Sequence, residues 1–214
     1  MNNQNIKNFF ETNLKLILAI IGIALLSSVG YIVVREKNLA KEKEASSALY
    51  EARKMTDPLV QAKDYKSAIS LLQDIPEKFP NSRAAYETNL HIADLYVEMK
   101  DPAKAIAHYA KAEQQAPDSF SKILATYSKA IAEEVAGQFD QAVKSLDFAL
   151  QMKGSEFLKP EILMAQARSY EALKNFSKAA EIYKTIQEKY ASKTYYSNAA
   201  AAFLGKISIP TGKQ

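Results

Sequence analysis

Cysteine and tryptophan are both absent from the 214 residues, and histidine appears only as His91 and His108. Without cysteine there is no disulfide framework, no thiolate nucleophile, no cysteine-based metal site and no acceptor for a lipoprotein anchor. The two histidines fall in different predicted helices with no partner four residues away. Neither belongs to a metal pair, and each reads as a surface or interhelix hydrogen-bonding side chain. Glycine is scarce, with six in the chain. Gly137 and Gly154 stand singly where helices end, as C-terminal caps and not as parts of a phosphate-binding loop. A surplus of one charge is also missing: 28 Lys and Arg face 24 Asp and Glu, a net +4. The two signs alternate along the chain, which describes a solvated helical surface and excludes a nucleic-acid stripe. Glu133 and Glu134 are adjacent, so on a helix they diverge and form no acid and base pair. The expectation is a protein with no catalytic residues, no metal, no cofactor and no small-molecule substrate, whose function comes from a surface.

What the sequence does contain begins with one long apolar run. Leu16 to Val34 reads "LILAIIGIALLSSVGYIVV", nineteen residues without a formal charge, and a helix of that length, about 28 Å, matches the hydrocarbon core of a bilayer. Residues 16–34 are therefore expected to be a transmembrane anchor. A cleaved signal is the competing reading, since Ser28-Val29-Gly30 offers small residues to a peptidase. Against it, the apolar run continues through Val34 and the preceding fifteen residues are long for a signal. Ala24 and Ser28 form a small-xxx-small pair of the kind frequent in any membrane helix. Lys7 and Lys15 precede the span, whereas Arg35, Lys37, Lys41 and Lys43 follow it. Counted alone these charges leave the large domain in the cytoplasm, but large domains are translocated regardless of local charge, so counting leaves the orientation open.

The rest of the chain repeats. "DYKSAISLLQDIPEKFPNS", "DPAKAIAHYAKAEQQAPDS", "QFDQAVKSLDFALQMKGSE" and "NFSKAAEIYKTIQEKYASK" succeed one another at 37 residues, and one alanine recurs in each: Ala68, Ala105, Ala142 and Ala179. A fixed period of this size is the signature of stacked helical repeats. Each unit holds two helical patterns, parted at "AKDY", "MKDP", "AGQF" and "LKNF", where Asp, Asn, Gly or Pro interrupts the helix. In the second unit the helices are expected from Arg83 to Met99 and from Ala103 to Gln115, with Pro117 closing the pair. "TYYSNAAAAFLGKI" supplies a last helix that covers the end of the array, and "SIPTGKQ" lacks periodicity. Between the span and the repeats, "REKNLAKEKEASSALYEARKM" has no Gly or Pro and continues the membrane helix as a polar rod. The expected division is an N-terminus over 1–15, the anchor over 16–34, a charged connector over 35–48, a repeat domain with capping helix over 49–206, and a flexible tail over 207–214.

The series Ala93, Tyr96, Ala105, Tyr109, Ala112 and Pro117 resembles the tetratricopeptide repeat, with Asn89 in place of the usual early Trp and Ala93 in place of the Gly. The fourth unit keeps Ala167, Tyr170, Ala179 and Tyr183; the first and third carry Leu72 and Leu146 in the aromatic place. The resemblance implies an all-α, tetratricopeptide-like solenoid of about four helix pairs, with its first helices lining a concave groove that binds proteins. With the units in register, the usual groove-facing positions are Arg53, Leu90, Asp94, Tyr127, Ile131, Met164 and Arg168. Tyr127, Ile131 and Met164 are expected to form an apolar strip bordered by Arg53, Asp94 and Arg168.

The whole order, "NFFETNLK", a single span, a charged helix leading to "ASSALYEA" and then degenerate repeats, resembles the ancillary SecYEG translocon subunit family of bacterial inner membranes. That resemblance implies an N-terminus inside, a repeat domain in the periplasm, association with translocon components, and handover of unfolded exported chains to periplasmic chaperones. "IPEKFPNSRAAYETNLHIADLY" is also similar to repeats of outer-membrane-assembly lipoproteins and cell-division coordinators. The alternative function is accordingly a structural scaffold for an envelope or cell-division complex that handles no clients.

Overall fold

A computed structural model of the chain describes residues 3–208, and among these every regular element is helical. The chain falls into two compact units, Met1–Glu44 and Ala45–Gln214. The second begins at Ala45, ahead of the boundary expected at residue 49, because Ala45 is fully buried beside Leu49 in the first core cluster.

Helix α1 runs Asn3–Gln61. Its apolar part is long and apolar enough to cross a membrane, with a mean hydropathy of 2.6 over its best window and none of that window buried within the protein. Ser28 Oγ donates to the Ala24 carbonyl at 2.8 Å, so within the small-xxx-small pair the hydroxyl is satisfied by its own helix.

In the second unit the end of α1 pairs with α2 (Tyr65–Leu72) and α3 (Asp74–Lys78), and α4 (Arg83–Glu98) pairs with α5 (Pro102–Gln115). Helix α6 (Ser119–Val135) pairs with α7 (Phe139–Gln151), and α8 (Lys159–Ala172) with α9 (Phe176–Lys189). Helix α10 (Thr194–Ser208) packs against α9 and α8 as the cap. The helix thus extends two residues beyond the expected end of the cap at 206; residues 209–214 of the expected tail lie outside the described residues. The second helix of the first pair is split because Pro76 has no N–H for the Leu72 carbonyl, which ends α2 there.

The four recurring alanines are all fully buried, and there small side chains let paired helices approach within about 8–10 Å. Asn89, in the place of the consensus Trp, is 1% exposed. Its amide donates to the Gln115 side chain at 2.7 Å, and its carbonyl oxygen lies 2.9 Å from His108 Nδ1. Asn89 thus joins Gln115 and His108 of α5 through its two amide ends, in the place where the consensus has an indole.

Every turn between paired helices has one construction. A residue with left-handed backbone recurs at the repeat period: Lys63 (φ 59°), Lys100 (58°), Gly137 (74°) and Lys174 (58°). The amide that follows reaches back five residues to close the helix: Asp64 to Leu59, Asp101 to Tyr96, Gln138 to Glu133 and Asn175 to Tyr170, at 2.8–2.9 Å. This is the Schellman closure, whose left-handed position is easiest for glycine. The same residues then start the next helix. Asp64, Asp101 and Asn175 accept from the backbone N–H three residues on, as N-cap side chains do, whereas Gln138 makes no such bond. The third turn combines a better left-handed residue with a poorer cap.

Candidate partner-binding face

The first helices of successive pairs lie side by side, joined by a regular ladder of hydrogen bonds. Arg53 on α1 donates to Glu87 on α4 at 3.1 Å, and the Tyr86 hydroxyl on α4 to the Ser121 carbonyl on α6 at 3.0 Å. On α8, Arg168 and Ser169 both donate to Glu134 of α6 at 2.9 Å. The Tyr196 hydroxyl on α10 donates to Glu161 on α8 at 2.5 Å. The partners are 34 or 35 residues apart, one period less most of a helical turn, which is the offset at which a side chain meets the neighbouring helix.

Three of the expected groove residues are therefore engaged within the protein. Arg53 shares Glu87 with Arg83, whose Nε is also 3.1 Å away. Arg168 is held by Glu134. Asp94 accepts the Tyr109 hydroxyl from α5 at 2.6 Å. Burial raises the Asp94 carboxyl above the ordinary carboxylate range, opposed by the Tyr109 bond. Burial, the Asp94 bond and the Asp94 charge together hold the Tyr109 hydroxyl far above its usual value. Beside them, burial and then the Arg53 charge push His91 down, opposed by the charges of Asp94 and Asp57.

The apolar candidates divide. Leu90, Tyr127 and Ile131 are half-buried, with Leu90 against the α4–α6 core and Tyr127 and Ile131 against the cluster around Ile123 and Leu146. Burial raises the Tyr127 hydroxyl. Met164 does not join them. It is 7% exposed and packs with Ala167, Tyr183, Ile186 and Ala200, so the expected strip of Tyr127, Ile131 and Met164 is interrupted. The cause is the cap: α10 packs on α8 as well as α9, leaving residues 162–167 buried on every side of α8. A helix covered all round loses the periodicity that marks an outward position.

Glu87, Glu134, Tyr86, Glu161 and Tyr196 are the members of this face that register alone did not identify. The signal was an Arg and a Glu at a constant offset, Arg53 with Glu87 and Glu134 with Arg168, in opposite orders. Glu133, next to Glu134, points inward. It is 3% exposed, and burial raises its carboxyl, opposed by a Ser145 bond and by Lys129 while Glu113 adds to the rise. Lys129 and Glu113 form an ion pair next to it.

Stacked antiparallel helix pairs, with their first helices adjoining in one ladder, define a helical-repeat protein of the solenoid class. The chain belongs to the tetratricopeptide repeat-like domain family, whose sequence pattern matches residues 7–193, apolar run included. It is similar to the ancillary SecYEG translocon subunit of Neisseria gonorrhoeae (strain ATCC 700825 / FA 1090), with 24% identity over 180 residues, 83% of this chain and 85% of that protein. Among solved structures, the crystal structure of MamA protein superposes with a TM-score of 0.55 at 18% identity, covering 76% of this chain and 91% of that one. The MamA RS-1 ArsTM double mutant gives 0.55 at 14% identity, over 68% and 76%. Both structures share the fold. Fold and relative together make the chain a protein-interaction module.

Proposed function

We propose that this is a membrane-anchored, translocon-associated adaptor that meets exported polypeptides or their chaperones on the face of its adjoining first helices. The observation that carries this reading is the extent of the similarity to the translocon subunit, which takes in most of both chains instead of one repeat. In this reading residues 16–34 hold the protein in a bacterial inner membrane, the N-terminus lies inside, and the repeat domain works in the periplasm. Its partners are translocon components, periplasmic chaperones or unfolded exported chains, met through Leu90, Tyr127 and Ile131 with Arg53, Asp94 and Arg168 at the border. Its work is binding, and no catalytic step enters it.

The test is a photo-crosslinking residue at position 127 or 131 of the full chain, in membranes carrying an arrested exported polypeptide. Adducts to the arrested chain are expected. Adducts to folded envelope proteins alone would overturn client handling and favour the second reading, a scaffold, which the internal pairing of Arg53 and Arg168 supports by leaving few charges for a flexible chain. Reporters fused after Gln214, one active only in the periplasm and one only in the cytoplasm, test the orientation independently.

A further inference from the structure

Phe120 and Phe157 are one repeat period apart, and so are Lys122 and Lys159. The segment Phe-x-Lys therefore recurs at the same end of two successive helix pairs, within the first turn of α6 and, for α8, running from the 3-10 turn Ser155–Phe157 into its first residue, Lys159. Phenylalanine is ordinarily an interior residue, yet Phe120 is 49% exposed and Phe157 72%. Their rings meet edge to face with centroids 6.0 Å apart. Another exposed ring is contacted by one of the lysines: Lys122 lies over Phe148 at 5.7 Å, and Phe148 is 45% exposed. Ser119 Oγ donates to the Lys153 carbonyl at 2.6 Å, tying the turn that carries Phe157 to the start of α6. Of the carboxylates here, Asp118 is taken up in capping α6 through the Ser121 N–H at 2.8 Å, and Glu156 is exposed in the turn. The same register position in the second pair is Arg83, so the aromatic edge belongs to the third and fourth pairs.

We propose that this edge, the starts of α6 and α8 with Phe120, Phe157, Lys122 and Lys159, seats on an anionic lipid surface. Aromatic side chains at helix starts and turns, standing out beside lysines, are the chemistry of interfacial contact. The rings enter the boundary of the acyl chains while the ammonium groups stay among the phosphates. A folded or extended protein partner would be better served by a groove, and these rings project from one end of the helix pairs. The chain also carries its own helix of membrane-spanning length and composition. A bilayer is then present at high effective concentration, and a weak contact suffices.

The absence of tryptophan makes the test direct. F157W and F120W, and F176W as a control, are placed singly in the full chain and reconstituted into vesicles of phosphatidylethanolamine and phosphatidylglycerol with brominated acyl chains. Phe176 is 50% exposed but starts α9, so it lies at the opposite end of its pair, about 20 Å away along α8. The expected result is strong quenching of F157W and F120W and little of F176W, with quenching reduced in a K122E/K159E background. Equal quenching at all three sites, or none, overturns the proposal, as does shielding of F157W only when a soluble protein is added. Quenching that the lysine changes leave untouched overturns the anionic part. A chain that fails to co-float with the vesicles overturns the proposal and the anchor together.

Discussion

Replacing Lys63, Lys100 and Lys174 together by Gly should stabilise the repeat domain, although it removes three charged side chains and adds three flexible residues. Each lysine holds φ near 60°, a conformation that costs an L-residue about 1–2 kcal/mol and glycine almost nothing. Against this stands the greater unfolded-state freedom of glycine, about 0.5–1 kcal/mol. The net gain is roughly 0.5–1 kcal/mol per turn. All three lysines are exposed, so no packing is lost, and the turns are far enough apart for the gains to add to about 1.5–3 kcal/mol. For a domain of this size that raises the melting temperature by about 3–12 °C, read by thermal circular dichroism of the full chain in detergent. The reverse change, G137K, should lower the melting temperature by one such step. A Cβ at Gly137 would meet nothing within 4 Å, so its cost is conformational and not steric. A triple variant that melts at or below the parent, or a neutral G137K, would refute the account of the turns.

Three further outcomes are expected. Gln138→Asp gives α7 the side-chain cap its three counterparts have, and should raise stability by about 1 kcal/mol in the same melt. Met164→Ala should cost about 2–5 kcal/mol, as truncation of a core residue does; a near-neutral result would return Met164 to the surface. Glu133→Gln keeps an isosteric partner for Ser145 and removes an ionisation that burial opposes. Because the folded pKa is raised above the unfolded one, the penalty is absent below the unfolded value and grows as pH rises through the folded value. The variant should therefore out-melt the parent at about pH 8 and match it at about pH 4, and a difference independent of pH would contradict the assignment.

The all-α solenoid was readable from one buried alanine per unit, because a close helix crossing admits only a small residue and the crossing recurs. The breaks at "MKDP" and "LKNF" were readable as well, through residues that cap helices. That Lys100 and Lys174 adopt left-handed backbone was not, since nothing in lysine announces a positive φ; only the resemblance of these positions to Gly137 hints at it. The face was legible in part. Register brings Arg53, Asp94 and Arg168 to the adjoining first helices, but their partners depend on how far each helix slides past the next, which a repeat length does not state. Met164 went astray for a different reason. It has the register of Tyr127, one period earlier, but α6 is followed by a repeat and α8 by a cap, and α10 covers what a further pair would have left open.

The turn built on Lys63, Lys100, Gly137 and Lys174 is complete within a handful of consecutive residues, each closing bond running from one side of the turn to the other. Such a joint is modular. If residues 100–136 were excised, Met99 would run directly into Gly137, and the Gln138 amide would face the Tyr96 carbonyl where the Asp101 amide now does. One whole unit would be gone with no joint broken. The length of the array is thereby separable from the making of its corners, so units can be lost or duplicated in a lineage without inventing a new bend.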